Sequence, residues 1–271
     1  MSADSATAMY RERADAVTTE AGSGRPVVFA HGTLMDRTMF DPQVEALAPE
    51  YRCVAYDLRA RTEWYRPAYD LEDLAQDCAA LLDGIGEESA VIAGMSMGGF
   101  MALRFALAYP ERTDGLVLID SMATPHTDAE RNTYGGMIEG LEGTDTVDPS
   151  LAEAVTHYLF GETTIAEQPD LVSSWVERWR TYPGGAVANE VSSWLDRPDV
   201  SDRLGEIDVP VCIVHGEEDA SIEPERAEPM LDALPDAEMT TIPDAGHSSN
   251  LEQPAAATAA IRSFLEGLPG R

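Results

Sequence analysis

Lysine is absent from the sequence: all 18 basic residues are arginine, and they face 49 acidic residues for a net charge of -31. Such a surface repels nucleic acid and anionic membrane, and at low ionic strength its self-repulsion opposes the compact state. Molar salt shortens the Debye length to about 3 Å and relieves that repulsion. The composition resembles that of proteins from salt-accumulating halophiles. A protein of that kind is expected to lose fold and activity below a few tenths molar salt, which circular dichroism and turnover along a salt titration would check; indifference to salt would remove the reading.

Cysteine is scarce. Cys53, Cys78 and Cys212 are odd in number, widely spaced, and lack both a CxxC pair and a histidine at metal-ligand spacing, so neither a disulfide framework nor a metal site is supported. Two fall in expected strands and one on the apolar side of an expected helix, as small buried hydrophobes do. Long apolar runs are missing too: "PVVFA" and "GLVLI" are far shorter than a membrane span. The opening "MSADSATAMYRERADAV" is polar and has no apolar signal-peptide centre. Together these point to a cytoplasmic protein without nucleic-acid or membrane partners; oligomeric state is not legible.

What is present is alternation. Short β-branched runs at Val27–Ala30, Cys53–Tyr56, Ala90–Ala93, Leu116–Ile119, Val211–Val214 and Met239–Ile242 alternate with helix-like segments, the pattern of an α/β protein with a mostly parallel sheet. In "DLEDLAQDCAALLDGIG", Leu71, Leu74, Cys78, Leu81 and Leu82 share a helical face, Asp70 can cap the start and Gly84 can end it. Another helix is expected just after Ser96, carrying Phe100, Leu103 and Leu107 and stopping near Pro110. From Ser121 to Asp208 no convincing buried strand occurs, too long a stretch for a structureless connection. Helical segments are expected around Ala129–Leu141, Ser150–Phe160, Asp170–Thr181 and Ala186–Leu195, with "GTDTVDP", "GETTIAEQP" and "PGG" as breaks. The expected organisation is a core of residues 1–120 and 209–271, with a helical cap, 121–208, inserted.

Residues 92–100 read "IAGMSMGGF". A G-x-S-x-G match arises by chance in about one in ten chains of this length at average composition, so its surroundings decide its meaning. A hydroxyl is a poor nucleophile until a base takes its proton, the base needs an orienting partner, and the oxyanion that forms needs fixed donors. Ser96 lies at an expected strand-to-helix turn, where Gly94 and Gly98 leave room for the backbone to close. The helix beginning after it directs free N–H groups and its positive dipole end at the same place.

Among the five histidines, His247 in "IPDAGHSSNLEQP" lies in a loop after the last expected strand and is the candidate base. His215 sits at a strand end and could be structural; His126 and His157 fall in the cap, where a solvent-facing or satisfied histidine is the ordinary reading. Asp219 in "VHGEEDASIEP" is the candidate acid, with Glu217, Glu218 and Asp120 as competitors. The loop "FAHGTLMD" can supply a second oxyanion donor opposite the N–H of Met97; it is assigned to the N–H of Thr33, with Leu34 as the near alternative, and His31 is read as a brace. In the cap, Trp175, Trp179 and Trp194 are read as packing, with an apolar substrate pocket as the functional alternative.

The segments "HGTLMDRTMFDPQ", "YDLR", "GMSMGGFMALRFALAYPERTDGLVLIDS", "VHGEEDASIEP" and "AGHSSNLEQP" resemble, in order and over nearly the whole chain, those of the α/β-hydrolase superfamily, whose nucleophile, acid and histidine follow the order Ser96, Asp219, His247. Within it the sequence resembles the capped group of beta-ketoadipate enol-lactonases, small carboxylesterases and cofactor-free haloperoxidase-like perhydrolases. That implies an α/β-hydrolase fold and an acyl-serine mechanism on a small carboxylic ester or lactone, with no metal or organic cofactor. A ligand-binding protein that retains the triad, and acyl transfer to peroxide or another acceptor, are the alternatives. One segment departs: after "DLR" such proteins continue Gly-His-Gly, whereas here Arg59, Ala60, Arg61, Thr62, Glu63, Trp64 and Tyr65 follow. Without those glycines the loop is expected to take another path at the pocket rim.

Overall fold

The computed structural model describes residues 3–270. One seven-stranded sheet is built from β1 (Thr18–Ala21), β2 (Pro26–Ala30), β3 (Arg52–Tyr56), β4 (Ala90–Met95), β5 (Thr113–Ile119), β6 (Val211–Gly216) and β7 (Ala237–Ile242), in the order β1-β3-β2-β4-β5-β6-β7. All neighbours are parallel except β1 and β3. The apolar runs end up in the middle of the sheet, where β2, β4 and β6 are buried throughout, as strands covered on both faces must be. β1 was not among the expected strands. Its four residues are half-exposed and pair on one side only, so no apolar run announces it.

The first half of the chain adds α1 (Ala3–Glu12), α2 (Asp41–Leu47), α3 (Leu71–Ile85) and α4 (Met97–Ala108). Asp70 caps α3 through a reciprocal capping box with Asp73, but the helix ends at Gly86, whose φ is 76°, and not at Gly84. Gly84 has a different task. A Cβ there would stand 2.6 Å from the carbonyl oxygen of Tyr10, so its bareness lets α1 lie directly on α3.

Between β5 and β6 the described residues form no strand, but α5 (Asp128–Leu141), α6 (Pro149–Ala154), α7 (Thr156–Leu159), α8 (Glu162–Glu167), α9 (Pro169–Trp179) and α10 (Gly184–Leu195). The expected Ser150–Phe160 helix divides at Val155. "GETTIAEQP", expected as a break, contains α8; its opening turn is fixed by a distant residue, since the Glu218 carboxylate accepts from the Thr163 N–H at 2.8 Å. The chain closes with α11 (Pro254–Gly267), which packs on α2 and β6. All three cysteines are buried with free thiols, and no described helix is long and apolar enough to cross a membrane.

The loop that departs from Gly-His-Gly is an arginine-bearing 3-10 turn, Arg59–Arg61. Arg59 is fully buried and grips Asp77 of α3 with two nitrogens, at 2.6 and 2.9 Å. Thr7 of α1 donates to the same carboxylate at 2.7 Å. Arg61 points the other way: its Nη2 lies 2.8 Å from Glu190 of α10, and its guanidinium stacks 4.0 Å from the Tyr182 ring centroid. Two arginines separated by one alanine thus clamp the loop to elements far apart in sequence.

Candidate active site

Ser96 occupies the single residue between β4 and α4, with φ 51° and ψ -113°. That conformation is sparsely populated for a residue with a side chain and costs about 1–3 kcal/mol. It survives because the flanks are bare. A Cβ on Gly94 would meet the Gly98 carbonyl at 2.2 Å, and one on Gly98 would meet the Ala30 oxygen at 2.2 Å. Ser121 Oγ donates to the Ser96 carbonyl at 3.0 Å, and the Ser96 N–H donates to Ile119 at 2.8 Å.

The loop after β7 brings His247 Nε2 to 2.9 Å from Ser96 Oγ, and the loop after β6 brings Asp219 Oδ2 to 2.8 Å from His247 Nδ1. A carboxylate only accepts, so the assigned tautomer carries its proton on Nδ1 and turns a bare Nε2 to the hydroxyl. Asp219 is held by its other oxygen, which accepts from the N–H groups of Ser221 and Ile222 at 2.8 and 2.9 Å. Burial opposes its ionisation, but His247 and His215 beside it outweigh that and hold its pKa down at about 2. Burial likewise opposes a charge on His247, yet the Asp219 carboxylate raises its pKa above the ordinary value of 6.5.

The competing acids are occupied or absent from this centre. Asp120 is fully buried with φ 47°; one oxygen accepts from Gly216 N–H and the other from the N–H and hydroxyl of Ser249, so it ties the end of β6 to the His247 loop. Burial pushes its pKa up to about 7. Glu218 holds Thr163, and Glu217 faces solvent. His215 donates from Nε2 to the Ile222 carbonyl at 2.7 Å and lies 3.2 Å from Asp219; burial opposes its charge, but Asp219 and Asp120 raise its pKa to about 9. Asp120, His215 and Asp219 gather three ligand-type atoms within 4.8 Å, but all four carboxylate oxygens already accept protein hydrogen bonds. The cluster is a hydrogen-bond network.

His31 bridges its own loop to the end of β3, donating to the Gly32 carbonyl at 2.8 Å and accepting from the Leu58 N–H at 3.0 Å. The same loop settles which N–H groups are spoken for. Leu34 N–H donates to Glu190 Oε2 at 3.1 Å, whereas Thr33 N–H has no partner among the described residues and Met97 N–H opens α4. Glu190, fully buried between Arg61 and Leu34, was not singled out in the sequence. A lone glutamate in an apolar helix segment is a signal, but its partner stands 129 residues away.

Above Ser96 and His247 lies a cavity of about 300 Å³, walled by Phe100, Tyr134, Val155, Leu159, Val191 and Trp194 among others. Trp194 faces it and donates from Nε1 to Thr33 Oγ1 at 2.8 Å. Trp175 and Trp179 do not line it; Trp179 stacks on Phe160 at 6.0 Å, and Trp175 lies under the Arg178 guanidinium. Of Trp175, Trp179 and Trp194, the last is a wall and the other two are packing. Nor is His126 solvent-facing, being buried at the cavity's edge, whereas His157 is exposed.

A parallel sheet with a strained serine at a strand-to-helix turn, and a histidine and aspartate delivered by the loops after the last two strands, defines a class of enzyme fold. The chain belongs to the alpha/beta hydrolase family, whose model matches residues 27–261. It is similar to a thermophilic esterase from Thermogutta terrifontis solved with malate bound, at 32% identity and a TM-score of 0.85 over 92% of each chain. It is also 28% identical over 230 residues to 3-oxoadipate enol-lactonase 1 of Acinetobacter baylyi, covering 84% of both. A non-heme haloperoxidase of Rhodococcus erythropolis is 26% identical over 256 residues, 90% of this chain and 93% of that one.

Proposed function

We propose that the protein is a serine hydrolase that cleaves a small carboxylic ester or lactone through an acyl-serine intermediate. The observation that carries this is the hydrogen-bonded series Ser96 Oγ, His247 Nε2, Nδ1 and Asp219 at 2.9 and 2.8 Å beneath an apolar cavity. Ser96 attacks the carbonyl while His247 takes its proton; the N–H groups of Met97 and Thr33 hold the oxyanion; Asp219 keeps the tautomer and stabilises the imidazolium. His247 then protonates the leaving alkoxide, and water attacks the acyl-enzyme by the reverse path. No step calls on a metal or organic cofactor. Residues 121–208 act as the cap on a core of 1–120 and 209–271, of which 1, 2 and 271 lie outside the described residues. Walls supplied by the cap exclude bulk water and strengthen the oxyanion contacts. The esterase and enol-lactonase relatives support the substrate class.

A panel of p-nitrophenyl esters and lactones of varying acyl length, run at high salt, is expected to show sustained multiple turnover. Its rate is expected to fall as pH drops through the His247 pKa, above 6.5, because the imidazole must be neutral to act as base. Stoichiometric labelling by a fluorophosphonate without turnover of any substrate would instead describe a ligand-binding protein.

A further inference from the structure

His126 lies between β5 and α5 at the edge of the cavity. Its Nδ1 stands 2.6 Å from Nη1 of Arg197. A guanidinium has hydrogens to give and no lone pair to offer, so this contact has one polarity: Arg197 donates and Nδ1 accepts. The ring's proton is therefore on Nε2. Burial, then the Arg197 charge, push its pKa down to about 3, which keeps the ring neutral over the working range.

Arg197 is itself immobilised. It donates to the carbonyls of Thr124 and Trp194 at 2.5 and 3.2 Å, and its guanidinium stacks 3.8 Å from the Phe100 ring centroid. In a chain of net charge -31 it has no carboxylate within ion-pair distance among the described residues. The imidazole is wedged between Trp194 and Tyr134, with ring centroids 4.9 and 5.3 Å away. Its Nε2 has no hydrogen-bond partner among the described residues, yet it is not one of the polar atoms sealed from access. A ring that lines the mostly apolar cavity thus carries an accessible N–H without a protein partner, on the nitrogen not taken up by Arg197.

We propose that the Nε2–H of His126 is a fixed donor for a second, non-reacting carbonyl oxygen of the substrate, so that the preferred esters and lactones carry such a carbonyl beside the one attacked. The proposal rests on the serine-hydrolase reading and deepens it. A neutral carbonyl fits because it needs one donor and brings no charge. A carboxylate would bring a charge that a single N–H leaves largely unsatisfied, and a hydroxyl would add a proton that this tautomer cannot accept. A plain alkyl chain in the same place would leave the N–H desolvated and unpaired, which is the kind of mismatch that discriminates between substrates.

The test compares p-nitrophenyl esters of straight-chain keto acids with the alkanoates of equal length, using the full chain and its His126→Phe, His126→Gln and Arg197→Met variants. Wild type is expected to favour the best keto ester by about tenfold or more in kcat/KM. His126→Phe abolishes that preference, His126→Gln keeps part of it through its amide N–H, and Arg197→Met weakens it by freeing the tautomer. Equal rates on both series in wild type, a preference that survives His126→Phe, or a stronger preference for half-esters of dicarboxylic acids would overturn it. Calorimetry on Ser96→Ala with the matching keto and alkyl amides reads the same preference without turnover. Failure of the hydrolase reading would silence the kinetics and leave that binding difference, whereas equal affinities would sink the His126 assignment itself.

Discussion

The Ser96→Ala protein is expected to fold, to melt at the wild-type temperature and to lose about 10⁴- to 10⁶-fold in kcat toward activated esters. The fold should not notice because alanine meets the same restriction at φ 51° that serine does, and the contacts that close the turn run through Gly94, Gly98 and backbone atoms. The chemistry should notice because the hydroxyl is the group aligned with His247 at 2.9 Å. A residual rate above that of water is expected, since the proposed oxyanion donors and the cavity remain; in enzymes of the proposed mechanism such groups supply about 10³- to 10⁴-fold. Steady-state kinetics with active-site titration, beside calorimetric melting, checks both halves. Retention of a tenth or more of the wild-type rate would mean that another group is the nucleophile.

The second large effect is on stability. Arg59→Leu is expected to cost about 3–5 kcal/mol, because it leaves the fully buried Asp77 carboxylate with Thr7 as its remaining side-chain donor. For a chain of this size that corresponds to a fall in melting temperature of about 10 °C. The double replacement Arg59→Leu with Asp77→Leu is expected to recover much of the loss, since it removes the stranded charge as well as its partner. Urea denaturation of the two variants separates the cases. A single variant as stable as wild type would show that water reaches Asp77 and that the pair does not anchor the loop to α3.

The same turn shows where sequence reading stops. The inner strands are legible because an apolar run bounded by turn residues leaves few options for burial; Ser96 and Asp219 are legible because each follows such a run, and His247 because it follows the last expected strand, β7, although that edge strand is half-exposed. β1 is invisible for the converse reason: Thr18–Ala21 is short, polar and paired on one side. Gly84 and Gly86 are equally good helix terminators by type; only the nearness of α1 assigns one to packing and the other to the left-handed cap. The α8 helix looks like a break because the carboxylate that steadies its first turn belongs to Glu218. Arg61 with Glu190 joins a turn to a helix and Arg197 with His126 joins two loops, and no periodicity encodes which residues meet from such separations in sequence.

The Glu190 carboxylate joins three separate pieces of chain: α10, the Arg61 turn and the backbone of Leu34. A chimaera that imported the helices between β5 and β6 from a relative would present Arg61 and the Leu34 N–H with a surface selected for a different loop. Two orphaned donors would then lie beside the proposed oxyanion site. The heritable module here is therefore larger than the helices between β5 and β6, and recombination would have to move residues 59–65 and α10 together for the geometry of the proposed site to survive.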